Sequence, residues 1–232
     1  MSHPLDRPVW SALTSGWEAL SQGDERARRL DPDYGPFAAA ADVSTASLAA
    51  LASLAPHEGV LALLEVQPIV APRNLVAMTE AIAVQMVAEA ITPGEPEFEF
   101  IELTDADGPE MLELALLTKP GPFAARTNRL GGFVGVREDR LLIAMAGERM
   151  RMPGYTEVSG VCTRPEARGR GYAAGLMRVV ARRMIARGET PFLHAYADNT
   201  GAIGLYESLG FQPRCSINVA MLGKRAVVGD SD

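Results

Sequence analysis

A short stretch rich in arginine and glycine offers the clearest chemistry in the sequence. Arg164, Arg168 and Arg170 lie close together, interleaved with Gly169 and Gly171, although the chain as a whole carries a net charge of −7. The first backbone N–H groups of a helix lack internal partners, and the helix dipole is positive there. Positive side chains at the start of a helix, in an otherwise acidic chain, predict a polyanionic ligand, most simply a pyrophosphate.

The neighbouring sequence predicts a strand, a tight turn and a helix around these residues. Residues 157–163 have the β-branched content of a strand, and Pro165 ends it because proline cannot donate to a ladder. Gly188 suits the position just past the end of the following helix. That helix is predicted from apolar residues at helical spacing, namely Ala173, Leu176 or Met177, Val180 and Met184.

The spacing separates this turn from other phosphate-binding loops. A P-loop requires G-x-x-x-x-G-K-S/T, and the turn has no such lysine. A dinucleotide fingerprint requires G-x-G-x-x-G, which Gly169, Gly171 and Ala174 mimic with alanine in the last place. The turn also contains Arg168-x-x-Gly171-x-Ala173 after a predicted strand. This pattern resembles the coenzyme A loop, R/Q-x-x-G-x-G/A, of the GCN5-related N-acetyltransferases, the GNAT superfamily.

A second block of sequence supports the resemblance. Residues 199–211 read N-T-G-A-I-G-L-Y-E-S-L-G-F, which looks like the closing motif of the superfamily, N-x-x-A-x-x-L-Y-x-x-x-G-F. The two blocks stand in the expected order, separated by one predicted helix and one predicted strand. The resemblance covers roughly residues 98–222. It is closest to the bacterial branch related to the C-terminal domain of glycine N-acyltransferases.

The resemblance implies acetyl-CoA as co-substrate and assigns backbone contacts to it. In GNAT enzymes the pantetheine arm slots between two strands that splay apart, and Gly160 in mid-strand is compatible with a bulge there. The arm and thioester are then expected along Val161, Cys162 and Thr163. The amides around the pyrophosphate are expected from Arg168, Gly169, Arg170, Gly171, Tyr172, Ala173 and Ala174. Asn199 is expected to bond the pantetheine arm, to cap its own helix, or both.

Acyl transfer from a thioester to an amine also requires proton transfers. By resemblance, Tyr206 is the predicted proton donor to the departing thiolate, and Glu157 is the predicted general base, similar to a glutamate of the histone acetyltransferase branch. His194 lies on an apolar strand, which favours a core residue, although it is an alternative base. Cys162 is interpreted as a buried, inert thiol. Arg126, Arg129 and Arg149 are interpreted as surface charges rather than as ligands for a carboxylate on the acceptor.

Composition limits the other classes of function. The 232 residues are 47% hydrophobic and 22% charged, as in an ordinary soluble globular protein. The acidic balance argues against nucleic-acid and membrane surfaces, and no apolar run is long enough for a membrane span. Two distant cysteines predict neither a disulfide framework nor a zinc site, so no metal is expected. The start of the chain lacks the order of a signal peptide, and a cytoplasmic protein is predicted.

The whole pattern predicts a mixed α/β protein with two domains. The boundary is placed in the proline-rich residues 92–96, so that residues 1–95 form a smaller α/β domain and residues 96–232 form the GNAT acyltransferase fold. In the first domain we expect a helix lined by Trp10, Leu13, Trp17 and Leu20, a helix capped by Ser44 or Thr45, and a buried strand over residues 60–66. Residues 75–87 fit either a helix or a strand.

The combined prediction is an acetyl-CoA-dependent N-acetyltransferase that transfers acetyl directly to an amine of a small or amino-acid-like acceptor. Two alternatives stay open: a non-catalytic CoA-binding sensor or scaffold, and an acetyltransferase that acts on lysine or N-terminal amines of proteins. Residues 1–90 also have two interpretations, a degenerate half-copy of the same fold or a surface for a homodimer.

Overall fold

A computed structural model describes residues 3–224 of the chain. Its α-helices are α1 (Pro8–Leu13), α2 (Thr45–Ser53), α3 (Gly108–Thr118), α4 (Tyr172–Ala186) and α5 (Thr200–Ser208). Its strands are β1 (Ser21–Gly23), β2 (Ala27–Leu30), β3 (Ala38–Ala40), β4 (Leu61–Glu65), β5 (Leu75–Val87), β6 (Ile101–Leu103), β7 (Phe133–Glu138), β8 (Leu141–Met152), β9 (Tyr155–Thr163), β10 (Thr190–Tyr196) and β11 (Gln212–Lys224). In this part of the chain, no helix has the length and apolar character that a membrane crossing requires.

The described residues form two compact units, which we call the first and the second unit. The first comprises residues 3–31, 36–82 and 217–224, and the second comprises residues 32–35 and 83–216. Residues 92–96 form neither helix nor strand, as expected of a linker. Residues 83–87 precede that linker and nevertheless belong to the second unit, where they pair with β10. The domain boundary between residues 95 and 96 stays a prediction.

The first unit contains a small antiparallel sheet, in the order β1-β2-β3, and a second pairing between β4 and residues 218–222 of β11. Helix α2 begins as predicted, because the Ser44 side chain accepts a hydrogen bond from the backbone N–H of Ser47 at 3.2 Å. The prediction of a strand over residues 60–66 is confirmed by β4, and residues 75–87 form a strand.

The first helix is shorter than predicted. Helix α1 ends at Leu13, so Trp17 and Leu20 do not continue its face. Gly16 has low helical propensity, and the N–H of Trp17 closes the turn by donating to the carbonyl of Ala12 at 2.8 Å. Trp17 is fully buried and its ring lies 5.6 Å from that of Phe37. The interpretation of Trp17 as a packing residue is therefore confirmed, with a loop rather than a helix presenting it.

The second unit is built on a mixed sheet, which confirms the predicted mixed α/β fold. Strands β6, β7, β8 and β9 are antiparallel neighbours in chain order, β10 lies parallel to β9, and residues 83–87 of β5 lie antiparallel to β10. Helix α4 buries its predicted apolar stripe in the core, including Leu176, Met177, Val180 and Met184. Helix α3 contributes Met111 and Leu114 to a separate cluster.

Gly160 forms the predicted bulge in β9. Cys162 pairs with Met145 and Ser159 pairs with Gly147, so β9 holds one residue more than β8 over this step. Gly160 has φ +62°, and a Cβ there would lie 2.8 Å from Cε1 of Phe133. The extra residue changes which side chains share a face of the strand.

The parallel strands β9 and β10 pair only at their beginnings. Their register covers Thr190 with Tyr155, Pro191 with Thr156 and Phe192 with Glu157. Beyond these pairs, β9 continues to Thr163 and β10 to Tyr196 without pairing to each other. We call the space between residues 158–163 and 193–196 the fork. The turn before α4 follows one of its strands, and α5 follows the other.

The bulge predicts a position that tolerates only glycine. Gly160→Ala forces an L residue to a positive φ and crowds Phe133, so we expect it to lower the free energy of unfolding by about 1–3 kcal/mol. Gly204→Ala is the matched control, since a Cβ at Gly204 in α5 meets nothing within 4 Å; alanine there is expected to stabilise by about 0.5–1 kcal/mol. Urea unfolding measures the free energy of unfolding of both variants. Equal changes in the two would contradict the assignment of a glycine-only bulge at Gly160.

Candidate active site

The turn between β9 and α4 has the geometry of an anion site. Gly169 and Gly171 have φ of +78° and +77°, and a Cβ at either would meet nothing within 4 Å. No side chain caps α4 at Gly171, whereas Asn199 caps α5. The N–H groups at the start of α4 therefore point out of the helix without internal partners, in the positive field of the helix dipole.

The three arginines of the turn have different surroundings. Arg164 donates to the carbonyl of Leu142 at 3.0 Å and to Glu113 at 2.7 Å. Arg170 pairs with Glu138. Arg168 is exposed, and within residues 3–224 no carboxylate pairs with it. The prediction of a polyanionic ligand at this turn stays a prediction, and in the structure carboxylates contact the side chains of Arg164 and Arg170.

Contacts among Tyr172, Glu138 and Arg170 fix the start of α4 beside the turn. The Tyr172 hydroxyl donates to Glu138 Oε1 at 3.0 Å, and the Arg170 guanidinium lies 4.9 Å from the centre of the Tyr172 ring. Burial and the Glu138 carboxylate raise the pKa of Tyr172, so its hydroxyl stays protonated and able to donate. These contacts hold the helix start in place while leaving its backbone N–H groups open.

The end of β9 carries a polar atom that lacks a partner. The Thr163 hydroxyl is buried, and among the described residues it makes no hydrogen bond. Val161, two residues earlier, packs on the α4 side of the sheet. Cys162 points the other way, into the α3 cluster. Since a buried hydroxyl without a partner is unfavourable, the edge of β9 at Thr163 suits a ligand with polar atoms.

The other side of the fork carries Asn199 and Tyr206. The Asn199 side chain accepts from the N–H of Ala202 at 3.2 Å, which confirms its predicted capping role. Tyr206 is half-buried on α5. Burial raises the pKa of Tyr206, and the Cys162 thiol adds to the effect. The phenol is therefore protonated at neutral pH, as a proton donor must be.

The Cys162 thiol is buried, as predicted. Burial raises the pKa of Cys162 to about 11, against a smaller opposing hydrogen bond with Thr118. A thiol with this pKa is protonated at neutral pH and is a poor nucleophile.

Glu157 lies in a buried polar network at the base of the fork. Its carboxylate accepts from Arg149 Nε at 2.8 Å and Nη2 at 3.0 Å, and its Oε1 lies 2.9 Å from His194 Nδ1. The side chain of Glu157 is 1% exposed and that of Arg149 is 9% exposed. Burial alone would raise the pKa of Glu157, but the Arg149 charge and the hydrogen bonds from His194 and Arg149 outweigh it and lower the pKa to about 2. Glu157 is therefore ionised at all ordinary pH values.

The structure corrects the interpretation of Arg149 and confirms that of His194. Arg149 is a buried partner of Glu157, not a surface charge, and its Nη1 also approaches the carbonyl of Pro122 at 3.3 Å. The sequence held one signal for this, namely a charged pair, Glu148 and Arg149, that directly follows the apolar first half of β8. His194 lies in the interior, with its side chain 7% exposed.

The other two arginines considered for the acceptor lie at the surface. Arg126 pairs with Asp33 at 3.4 Å, and Arg129 pairs with Asp105 at 3.1 Å. Both line a surface cavity of about 330 Å³ at the start of α3. No residue of the fork lines this cavity, and the interpretation of these two arginines as surface charges is confirmed.

The buried ion pair predicts a large and pH-dependent effect of one substitution. Glu157→Gln leaves the buried Arg149 charge without its counter-charge, so we expect a loss of about 3 kcal/mol in the free energy of unfolding near pH 7. Glu113→Gln, at a glutamate 64% exposed and also paired with an arginine, should cost less than about 1 kcal/mol. Urea unfolding measures both.

The same pair of proteins tests the ionisation of Glu157. Its pKa is about 2 in the fold against an ordinary value of 4.5. A lowered pKa stabilises the fold above the unfolded value and loses this contribution as the pH falls through the folded value. The difference between wild type and Glu157→Gln should therefore shrink as the pH falls from 4.5 towards 2. A difference that stays constant over this range would contradict the charged pair.

Three comparisons with known proteins agree with this geometry. A family model described as FR47-like protein matches residues 133–218. A GCN5-related N-acetyltransferase from Kribbella flavida shares the fold, with a TM-score of 0.67 and 17% identity over 97% of this chain and 98% of that chain. An acetyltransferase of Yersinia enterocolitica is 41% identical over 66 residues, which are 28% of this chain and 44% of that protein. The chain thus matches less than half the length of this curated relative.

The match to a solved GNAT-family structure from Novosphingobium aromaticivorans extends over nearly the whole chain. The two proteins are 48% identical, with a TM-score of 0.90 over 97% of this chain and 100% of that chain. The narrower resemblance to glycine N-acyltransferases stays a prediction. Identity at this level over this length, together with the strand, turn and helix at the fork, shows that the chain belongs to the GNAT family of N-acetyltransferases.

Proposed function

We propose that the protein transfers an acetyl group from acetyl-CoA directly to an amine of a small or amino-acid-like acceptor. The observation that carries the proposal is the open start of α4, with Gly169 and Gly171 at positive φ, at the open end of the fork. A coenzyme with a diphosphate at one end and a thioester at the other fits this site, with the diphosphate at the turn before α4 and the thioester inside the fork.

The turn supplies the groups that a diphosphate needs. Its amides, from Arg168 to Ala174, belong to a turn that any L side chain at Gly169 or Gly171 would strain, and the helix dipole favours negative charge there. Arg168 adds a cation with no carboxylate partner in the described part of the chain. In this proposal Arg170 contributes its amide rather than its guanidinium, since Glu138 holds that side chain.

The fork then receives the pantetheine arm as an additional extended chain. Residues 161–163 are not paired to β10, so their edge towards β10 is open to an arm with amide groups. Cys162 contributes backbone only, because its side chain is buried in the α3 cluster. An arm held this way brings the thioester carbonyl to the bulge at Gly160, where the disrupted ladder exposes backbone N–H groups.

Tyr206 is the proposed proton donor. The neutral amine nitrogen attacks the thioester carbonyl carbon and then loses a proton, the C–S bond breaks, and the departing thiolate takes the phenolic proton. The resulting phenolate regains a proton from solvent. A raised pKa keeps Tyr206 protonated before the reaction. Asn199, at the start of the same helix, is proposed to contact the pantetheine arm in addition to its capping role.

The role of Glu157 as general base stays a prediction. An effective base has a pKa near the working pH, and the pKa of Glu157 is about 2, roughly 8 units below that of an alkylammonium. What supports a part for Glu157 in the reaction is its position, in the last paired row before β9 and β10 separate.

The proposed activity is tested by a screen of amines. The protein and acetyl-CoA are mixed with amino acids, small amines and lysine peptides, and the release of free thiol is followed. Thiol release with small amines supports the proposal. Release with peptides alone would favour a protein acetyltransferase, and CoA binding without release from any amine would favour a sensor.

Helix α4 predicts a substitution with opposite effects on stability and binding. Glutamate in a first helical turn interacts favourably with the dipole and should stabilise by about 0.3–1 kcal/mol. At Ala173 the same charge would face the diphosphate. Ala173→Glu should therefore weaken coenzyme A binding at least ~100-fold, about 3 kcal/mol in binding free energy, without loss of stability. Calorimetric titration gives the affinity, and Ala186→Glu, at the far end of α4, is the control that should bind normally.

Tyr206 predicts a selective loss of turnover. Tyr206→Phe removes the proton donor and keeps the ring, so kcat should fall roughly 100-fold while coenzyme A affinity is unchanged. Tyr34→Phe is the control, since Tyr34 lies outside both the fork and α5. Equal kcat values for wild type and Tyr206→Phe would remove Tyr206 from the mechanism.

A further inference from the structure

Two residues outside the predicted site extend the network around Glu157. Gln85 Nε2 lies 3.1 Å from His194 Nε2, on the neighbouring strand β5. Arg214 Nη1 donates to Gln85 Oε1 at 2.9 Å, and the Cys215 thiol approaches the same oxygen at 3.8 Å. Gln85 is fully buried. Side chains from β8, β9, β10, β5 and β11 thus form one row, from Arg149 through Glu157, His194 and Gln85 to Arg214.

The chemistry of these groups determines where each hydrogen lies. A guanidinium only donates, so the Gln85 atom that faces Arg214 is the carbonyl oxygen. The amide NH₂ of Gln85 then faces His194 Nε2, which must accept and cannot carry a hydrogen. The ring hydrogen therefore lies on Nδ1, where it points at the ionised Glu157 carboxylate. Each hydrogen in the row then points at an acceptor, whereas a second ring hydrogen, on Nε2, would point at the Gln85 NH₂ group, which is itself a donor.

We propose that Gln85 and Arg214 are positioning residues that hold His194 neutral, with its hydrogen on Nδ1, so that His194 anchors Glu157. Glu157 then accepts from His194 and twice from Arg149, and neither ring nor carboxylate is available to take a proton from the acceptor. This consequence for catalysis rests on the proposed function. The acceptor then binds as a neutral amine, having left one proton in bulk water, and the proton that its nitrogen releases after attack also passes to water.

The row lies at the point where the fork opens. Backbone pairing between β9 and β10 stops at Phe192 and Glu157, and His194 lies one step further along the same face of β10. The bond between His194 and Glu157 is the side-chain link that joins the two strands just beyond their last paired row. Gln85 and Arg214 fix the hydrogen that this link requires.

The state of the His194 ring is measured directly by NMR of protein with ¹⁵N-labelled histidine. The chain has three histidines, and His3→Gln and His57→Gln identify the signals of the other two. In the wild type at neutral pH we expect a single neutral form with the hydrogen on Nδ1. A hydrogen on Nε2, or a mixture of the two neutral forms, would overturn the proposal.

Gln85→Glu is the decisive variant. A carboxylate between Arg214 and His194 accepts from both, so the ring should carry hydrogens on both nitrogens at neutral pH. A ring that stays neutral in this variant would overturn the proposal. Gln212→Glu, at an exposed glutamine on β11, is the matched control and should leave the spectrum unchanged. If Gln85→Glu does not fold, the wild-type spectrum alone decides the matter.

The consequence for catalysis has its own readout. The pH profile of kcat/KM is measured with two acceptors whose amines differ in pKa by about 2 units, and its midpoint should move by the same amount, a ~100-fold change in the neutral fraction at fixed pH. A midpoint that is the same for both acceptors would assign the proton to a group of the enzyme and overturn this part. If no amine is acetylated, the proposed function fails, while the NMR result still decides the form of His194.

Discussion

The site depends on one constraint, the early end of the pairing between β9 and β10. Parallel strands in a sheet normally bond along their length, and here they do so over three residue pairs only. The unpaired lengths leave open backbone edges in the middle of a domain, where such groups are otherwise satisfied. A ligand with extended amide groups is the natural partner for these edges. The turn before α4 and the start of α5 lie at the ends of these two strands.

Two features of the sequence lie where the strands part. The bulge at Gly160 adds a residue to β9, so that the strand changes its alternation midway and presents Val161 to the α4 side and Cys162 to the α3 side. At the base of the fork, the buried charges of Arg149 and Glu157 are tolerated because the contact is bidentate and His194 supplies a further hydrogen bond. The bulge lies in the unpaired part of β9, and Glu157 of the ion pair lies in the last row where β9 and β10 pair.

Features that depend on local backbone geometry could be predicted from the sequence. The glycines at positions 160, 169, 171 and 188 all have positive φ, where other residues are strained. Their presence in the sequence therefore predicts the bulge, the turn and the end of the helix. The caps Ser44 and Asn199 could also be predicted, because a capping side chain bonds to a backbone N–H only three residues away. The end of α1 was missed because tryptophans at helical spacing also suit a buried loop.

Features that depend on long-range pairing could not be predicted. Gln85 and His194 are 109 residues apart, and no local pattern connects a glutamine in an ambiguous segment to a histidine in a strand. The partnership of Arg149 and Glu157 likewise requires the register of β8 on β9, which is shifted by bulges. Sequence spacing therefore located the glycine turn before α4, whereas the charges around Glu157 emerged only from the fold.

The most direct test of the account is a crystal structure of the protein grown with coenzyme A. The account predicts the diphosphate oxygens within hydrogen-bonding distance of the backbone N–H groups of residues 169–174, with the pantetheine arm in the fork and its sulfur beside Tyr206. A coenzyme bound elsewhere on the protein, with the turn before α4 and the fork both empty, would contradict it.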